Sequence, residues 1–231
     1  MKFCVIGDSW AGNKTKNVQT VLSKEFANAN HTVDNLADGG ASNQGQLRYL
    51  EFQYLERNSA DYVIWFYTEP VRNFTEFVTL DYGNDTTVAS QLYPDLTYKQ
   101  FNKDFSYIAR QDFAHAQRLY DCYKSPFVVI GAAGIVDPII NEYTFSRWTL
   151  HSWNQEIIQF NNMPMNCYTH HLVKLLNKFT EYNKEEALYE MTLLEKLETE
   201  MLTNRQKYPD GRHLSMDYYP LLVERILKEI K

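Results

Sequence analysis

The sequence predicts an α/β fold, a mostly parallel sheet with helices on both faces, and three observations predict it. Short apolar runs of strand length alternate with segments of helical apolar spacing, in the order strand, helix, strand, helix, strand. The first and third runs are apolar at their centres, the pattern of strands covered on both faces. Hydrophobic residues make up 44% of the 231 residues, enough for a packed core, and the length fits one domain, 1–231, enlarged by insertions.

Each element has its own reason. Residues 2–6 are a short apolar strand ended by Gly7. Residues 17–30 predict a helix with Val18, Val21, Leu22 and Phe26 on one face. A second strand covers 31–36 and closes on the turn signal Asp38-Gly39-Gly40. Leu47, Leu50, Tyr54 and Leu55 stand at helical spacing within 44–58. Residues 61–67 form a third strand, whose extension Pro70 bars, and 126–131 a fourth. A terminal helix over 218–230 carries Leu221, Leu222, Ile226, Leu227 and Ile230 as its apolar set.

Two segments interrupt the alternation and are read as insertions, at about 74–124 and 139–209. The first is rich in Tyr, Phe, Asn and Asp and turns helical around 98–123. The second holds an aromatic stretch, with Tyr143, Phe145, Trp148 and Trp153 read as core packing rather than a sugar or acyl platform. It also holds a charged helix from 184 to about 207, with Asn183 and Glu186 as a capping box.

Charge and cysteine content narrow the function. With 23 basic against 29 acidic residues, a net charge of -6, the balance argues against a binder of nucleic acid or anionic lipid, which needs a basic face, though it leaves room for a local basic groove. Cys4, Cys122 and Cys167 are odd in number and widely spaced, so no disulfide framework follows and a reducing compartment is the default. No apolar stretch reaches the ~20 residues of a spanning helix, and the first is too short for a signal peptide. These points predict a soluble, cytoplasmic protein with no membrane span. The Asn-x-Ser/Thr sequons at Asn13, Asn30, Asn73 and Asn84 are then chance matches in an Asn-rich chain.

In sheets of this kind ligands sit beyond the C-terminal strand ends, here 7–12, 38–45, 67–73 and 131–137. Ser9 follows the first strand directly. A serine there presents its hydroxyl to a ligand while nearby backbone N–H groups face developing negative charge. At the other end of the chain, Asp210 precedes His213 by three residues, just before the last helix. An Asp so placed can turn its carboxylate onto the imidazole, fix its tautomer and stabilise the imidazolium.

Taken together and in this order, these residues resemble the SGNH, or GDSL-type, hydrolases. Val5-Ile6-Gly7-Asp8-Ser9 is similar to the family's first motif, with Trp10 where Leu is frequent. Asn35 to Ser42 is similar to the second, Gly40 matching its glycine, and Asp210 to His213 is similar to the last. The resemblance implies a three-layer α/β/α, flavodoxin-like sandwich. It also implies roles: Ser9 as nucleophile, His213 as general base, Asp210 as its orienter, and the N–H groups of Ser9 and Gly40 as oxyanion donors. Neither a metal nor a cofactor is required. The implied substrate is a small-molecule or carbohydrate ester.

The third motif departs. Where the family has Gly-x-Asn-Asp, this chain has Tyr67-Thr68-Glu69-Pro70, so Glu69 replaces the asparagine donor. Loss of one such donor costs ~2.7–4 kcal/mol of transition-state stabilisation. A carboxylate aimed at the oxyanion is worse, because like charges ~4 Å apart repel by ~4 kcal/mol at an effective dielectric of 20. Three outcomes stay open: Glu69 points away, it is protonated, or the site does not run ordinary ester hydrolysis. Arg72 is spaced to pair with Glu69, and Asn73 or Asn43 are candidates for the missing amide.

Competing readings are weaker. Gly7 to Thr15 is similar to a phosphate-binding loop, but Asn13 separates Gly12 from Lys14 and Thr15, which that loop needs consecutive. Cys167, His170 and His171 lack a second pair at metal-ligand spacing. Asp137-Pro138 reads as a turn at the ligand edge. The alternative to an esterase is a catalytically inactive relative that uses the fold to bind a partner.

Overall fold

The computed structural model describes residues 1–11, 18–39, 41–68, 98–131, 136–153, 203–206 and 214–231. Their strands form one parallel sheet: β1 (Lys2–Gly7), β2 (Thr32–Asn35), β3 (Tyr62–Tyr67), β4 (Phe127–Gly131) and β5 (Ser146–Leu150), in the order β2-β1-β3-β4-β5. This is the flavodoxin-like order of a doubly wound sheet. The helices are α1 (Val18–Asn28), α2 (Asn43–Tyr49), α3 (Tyr98–Tyr123) and α4 (Tyr219–Glu229).

Alternation along each strand builds two cores. Phe3 and Val5 of β1, Ile64 and Phe66 of β3, and Val128 and Ile130 of β4 pack with Leu22 and Phe26 of α1 and Leu222, Val223 and Ile226 of α4. Cys4 and Ile6, Val63, Trp65 and Tyr67, and Val129 point the other way, onto Leu47 of α2 and Ala109, Phe113 and Ala116 of α3. The central strands β1, β3 and β4 are apolar nearly throughout because each of their faces is covered by a helical layer.

Four details differ from the sequence expectations. Helix α3 lies in the chain between β3 and β4, which pair in parallel, and packs on the sheet in the place of a crossover helix, a role the sequence expectations did not give it. Within 139–209, Ser146–Leu150 is a fifth strand paired with β4, and Trp153 and Phe145 are buried in the main cores. The helix expected over 44–58 changes at Leu50 into a π-helical turn, Leu50–Leu55, which keeps Leu50, Tyr54 and Leu55 buried. Leu221, assigned to the apolar face of the last helix, is exposed, while Leu222, Val223 and Ile226 are buried. Among the described residues no helix is long and apolar enough to cross a membrane.

Gly7 ends β1 at a point where only glycine fits. Its φ is +141°, and a Cβ there would lie 2.6 Å from Phe66 Cβ and 2.8 Å from the Phe66 carbonyl oxygen. The close approach of β1 and β3 therefore sets the floor from which Asp8 and Ser9 emerge.

Candidate active site

The sheet order reverses between β1 and β3, since the chain leaves β1 toward β2 on one side and returns through β3 on the other. Ligand crevices of open parallel sheets form at such a switch point, beyond the carboxyl ends of the strands. Asp8 and Ser9 follow β1 and Thr68 follows β3, so they stand on the two sides of this crevice.

Ser9 sits half-buried in a tight turn. The Ala11 N–H donates to the Asp8 carbonyl at 3.0 Å, closing the turn across Ser9 and Trp10. The Asp8 carboxylate accepts the Trp10 N–H at 3.0 Å, the local bond by which an Asp side chain fixes a turn. Other elements hold the same turn. Asn35 Nδ2, at the end of β2, donates to the Ala11 carbonyl at 2.9 Å, and the Asp38 N–H donates to the Gly7 carbonyl at 3.1 Å. The Gly7 N–H donates to Gln46 Oε1 of α2 at 3.2 Å. From α4, the Tyr219 hydroxyl donates to the Trp10 carbonyl at 2.7 Å.

A second chain of bonds spans the crevice floor. Asp8 is fully buried, and its Oδ2 accepts the Thr68 hydroxyl at 2.9 Å. Thr68 is gripped in turn by Asn43, whose Oδ1 accepts the Thr68 N–H at 3.0 Å while its Nδ2 donates to the Thr68 carbonyl at 2.9 Å. Ser42 starts α2 by accepting the Gly45 N–H at 3.1 Å, which sets Asn43 at the crevice. A buried carboxylate is costly unless it is hydrogen-bonded, and here Asp8 accepts from both a backbone amide and a hydroxyl.

Behind this floor a third polar chain links α2 to α3. Gln44 Nε2 donates to Asp112 Oδ1 at 2.6 Å, and Gln44 Oε1 lies 3.3 Å from His115 Nδ1. His115 Nε2 lies 3.0 Å from Glu51 Oε2. Burial pulls the His115 pKa down, and the hydrogen bond to Glu51 offsets only part of that, so the ring stays below the ordinary imidazole value. Burial pushes the thiol of Cys4 far up, which makes it an inert core group. Among the described residues no group of three or more His, Cys, Asp or Glu could hold a metal ion.

Of the site residues expected from sequence, Ser9 and Asn43 stand at the same edge of the sheet. Asn43 is buried, and its carboxamide is bonded to Thr68 through both its oxygen and its nitrogen. Among the described residues that carboxamide makes these two bonds, which use one of its two N–H groups. Gly40, Glu69, Arg72, Asn73, Asp210 and His213 lie outside the described residues, as do Asn13, Lys14 and Thr15 of the phosphate-loop alternative and Cys167, His170 and His171. Asp137 caps a 3-10 turn (Pro138–Glu142), accepting the Ile139 N–H at 2.9 Å, as an Asp-Pro turn should. Sequence reasoning missed Asp8 as a bridging group, Thr68 and Tyr219. Asp8 and Thr68 could have been found from their positions one residue beyond neighbouring strands, whereas no local pattern marks the Tyr219 hydroxyl.

No family model matches the chain, and no curated protein matches it. Solved structures similar to it include the psychrotrophic esterase EstA from a Pseudoalteromonas species, at 12% identity and TM-score 0.44 over 99% of this chain and 96% of that one. The acetyl xylan esterase AlAXEase is similar at 14% identity and TM-score 0.43 over 100% of both chains. A protein described as a GDSL-like lipase, from Parabacteroides merdae, is similar at 10% identity and TM-score 0.43 over 99% of this chain and 94% of that one. The fold class itself rests on the parallel register and the strand order.

Proposed function

We propose that this chain is a serine esterase or deacylase of the SGNH type, one domain that hydrolyses an acyl ester of a small molecule or carbohydrate. The observation that carries this reading is the junction of the two ends of the chain. Tyr219 of α4 bonds the carbonyl of Trp10, the residue after Ser9, and Leu214 packs in the same core cluster as Trp10 and Ala11. His213 is the covalent neighbour of Leu214, and that adjacency in the sequence supports its assignment as the base. The position of Ser9 at the switch point supports the same reading.

In this mechanism Ser9 Oγ attacks the acyl carbonyl carbon as His213 takes the hydroxyl proton and Asp210 stabilises the imidazolium. The carbonyl π-electrons move to oxygen, where the N–H groups of Ser9 and Gly40 donate to the oxyanion. Collapse expels the alcohol, which takes the proton from His213 and leaves acyl-Ser9. Water, deprotonated by His213, attacks that ester and releases the carboxylic acid and free Ser9. Glu69 replaces the third donor, and Arg72, Asn73 or Asn43 takes its part. The test is covalent labelling by a fluorophosphonate together with hydrolysis of an aryl acetate. Labelling and turnover lost in Ser9→Ala are expected, and equal turnover in Ser9→Ala and the parent removes the assignment.

A second reading, a non-catalytic relative that binds a partner at this edge, draws on Glu69 and on the engagement of Asn43 with Thr68. A parent protein that fails to label while remaining folded favours it.

A further inference from the structure

The turn carrying Ser9 is tied to the rest of the molecule by bonds from β2, β3, α2 and α4, and the tie from α4 differs from the others in kind. Asn35 and Thr68 lie on or beside strands that pair with β1, and Gln46 lies on α2, which packs against β1. Tyr219 reaches the turn from 209 residues away, at the first turn of the last helix. Its ring is fully buried in the core cluster that holds Trp10, Ala11 and Leu214. Burial and the nearby Asp8 carboxylate raise its pKa, so the phenol keeps its proton and stays a donor. The acceptor is a backbone carbonyl inside the turn, so the bond fixes the Trp10–Ala11 peptide rather than a movable side chain.

We propose that Tyr219 is the positioning residue that sets the geometry of the Ser9 turn relative to the last helix. It acts through the Trp10 peptide and touches no reacting atom. Its consequence for catalysis rests on the esterase reading, but the pin itself does not.

Tyr219→Phe tests this, because it keeps the buried ring and deletes only the hydroxyl. The first readout is amide exchange at Ala11, whose N–H closes the turn, compared with exchange of β3 amides. Exchange at Ala11 is expected to rise about five- to tenfold, the scale of one net hydrogen bond, with β3 amides unchanged. No change at Ala11, or a uniform rise across β3 as well, overturns the proposal. The second readout is the rate of Ser9 phosphonylation against pH. A drop of similar size is expected with the midpoint of the profile unmoved, the signature of positioning rather than proton transfer. If the parent labels and Tyr219→Phe labels at the same rate, the proposal is overturned. If the parent does not label while Ala11 exchange still responds, the esterase reading falls and the pin stands.

Discussion

The two edges of the sheet treat polar groups in opposite ways. At the amino edge, Lys2 Nζ lies 3.2 Å from Asp34 Oδ2 with both side chains well exposed, and the Asp61 carboxylate accepts the Lys2 N–H at 2.7 Å, also in the open. The Tyr54 hydroxyl and then Lys2 hold the Asp34 pKa below its ordinary value. At the carboxyl edge, Asp8, Ser42, Asn43, Gln46 and Thr68 are all buried and bonded to one another or to backbone. Exposed ion pairs contribute ~0–1 kcal/mol, and the chain can lose them cheaply. A buried polar network costs several kcal/mol if one partner is removed, so it persists only where geometry must be fixed. The contrast places the denser buried polar network at the edge where the proposed site lies.

Substitutions at the two edges can break or sharpen that contrast. The largest effect belongs to Gly7→Ala, where the added Cβ would meet Phe66 Cβ at 2.6 Å and the backbone would be held at φ +141°. A loss of about 3 kcal/mol or more, in urea unfolding, follows from overpacking and strain together. An unchanged urea midpoint would mean that β1 and β3 can part at the crevice, which contradicts the rigid floor described here.

Next comes a matched pair of charge deletions. Asp8→Ala leaves the buried Trp10 N–H and the Thr68 hydroxyl without that acceptor and is expected to cost about 2–3 kcal/mol. Lys2→Ala, which breaks an exposed pair, is expected to cost about 0.5 kcal/mol or less and to lose even that at high salt. Equal losses at the two sites would erase the comparison between edges.

The smallest expected effect is a pH dependence from the chain behind the crevice floor. The folded-state pKa of His115 is depressed, chiefly by burial. The unfolded chain therefore binds this proton more readily, and stability falls as pH drops below about 6.5, the ordinary imidazole value. His115→Gln should flatten the stability curve between about pH 5 and 6.5 while leaving the alkaline side unchanged. A curve that keeps its slope in the variant would show that His115 does not titrate differently on folding.

Much of the sheet was legible in the sequence. β2, β3 and β4 lie within the runs assigned to them, β1 runs one residue past its own to Gly7, and α1 and α4 lie within their helices, because an element covered by a core writes its own apolar period locally. The edge strand β5 escaped notice. Its residues, Ser146, Arg147, Trp148, Thr149 and Leu150, are mostly half-covered, so the run is neither continuously apolar nor cleanly alternating. Helix α3 was found, but its place as the crossover was not, since connection between strands is a property of the sheet and not of the helix. The π-helical turn at Leu50–Leu55 left Leu50, Tyr54 and Leu55 at ordinary helical spacing, so periodicity alone reads straight through it.

The sequence by itself determined the alternation of strands and helices, the position of Ser9 just beyond β1, and the glycine on which that exit depends. Only the tertiary structure decided what surrounds Ser9. Thr68 meets Asp8 across 60 residues and Tyr219 meets Trp10 across 209. Apolar periodicity is a local signal that burial imposes on every turn of an element, whereas a single hydrogen bond between distant side chain and backbone leaves no period to read and exists only once the sheet has brought its two ends together.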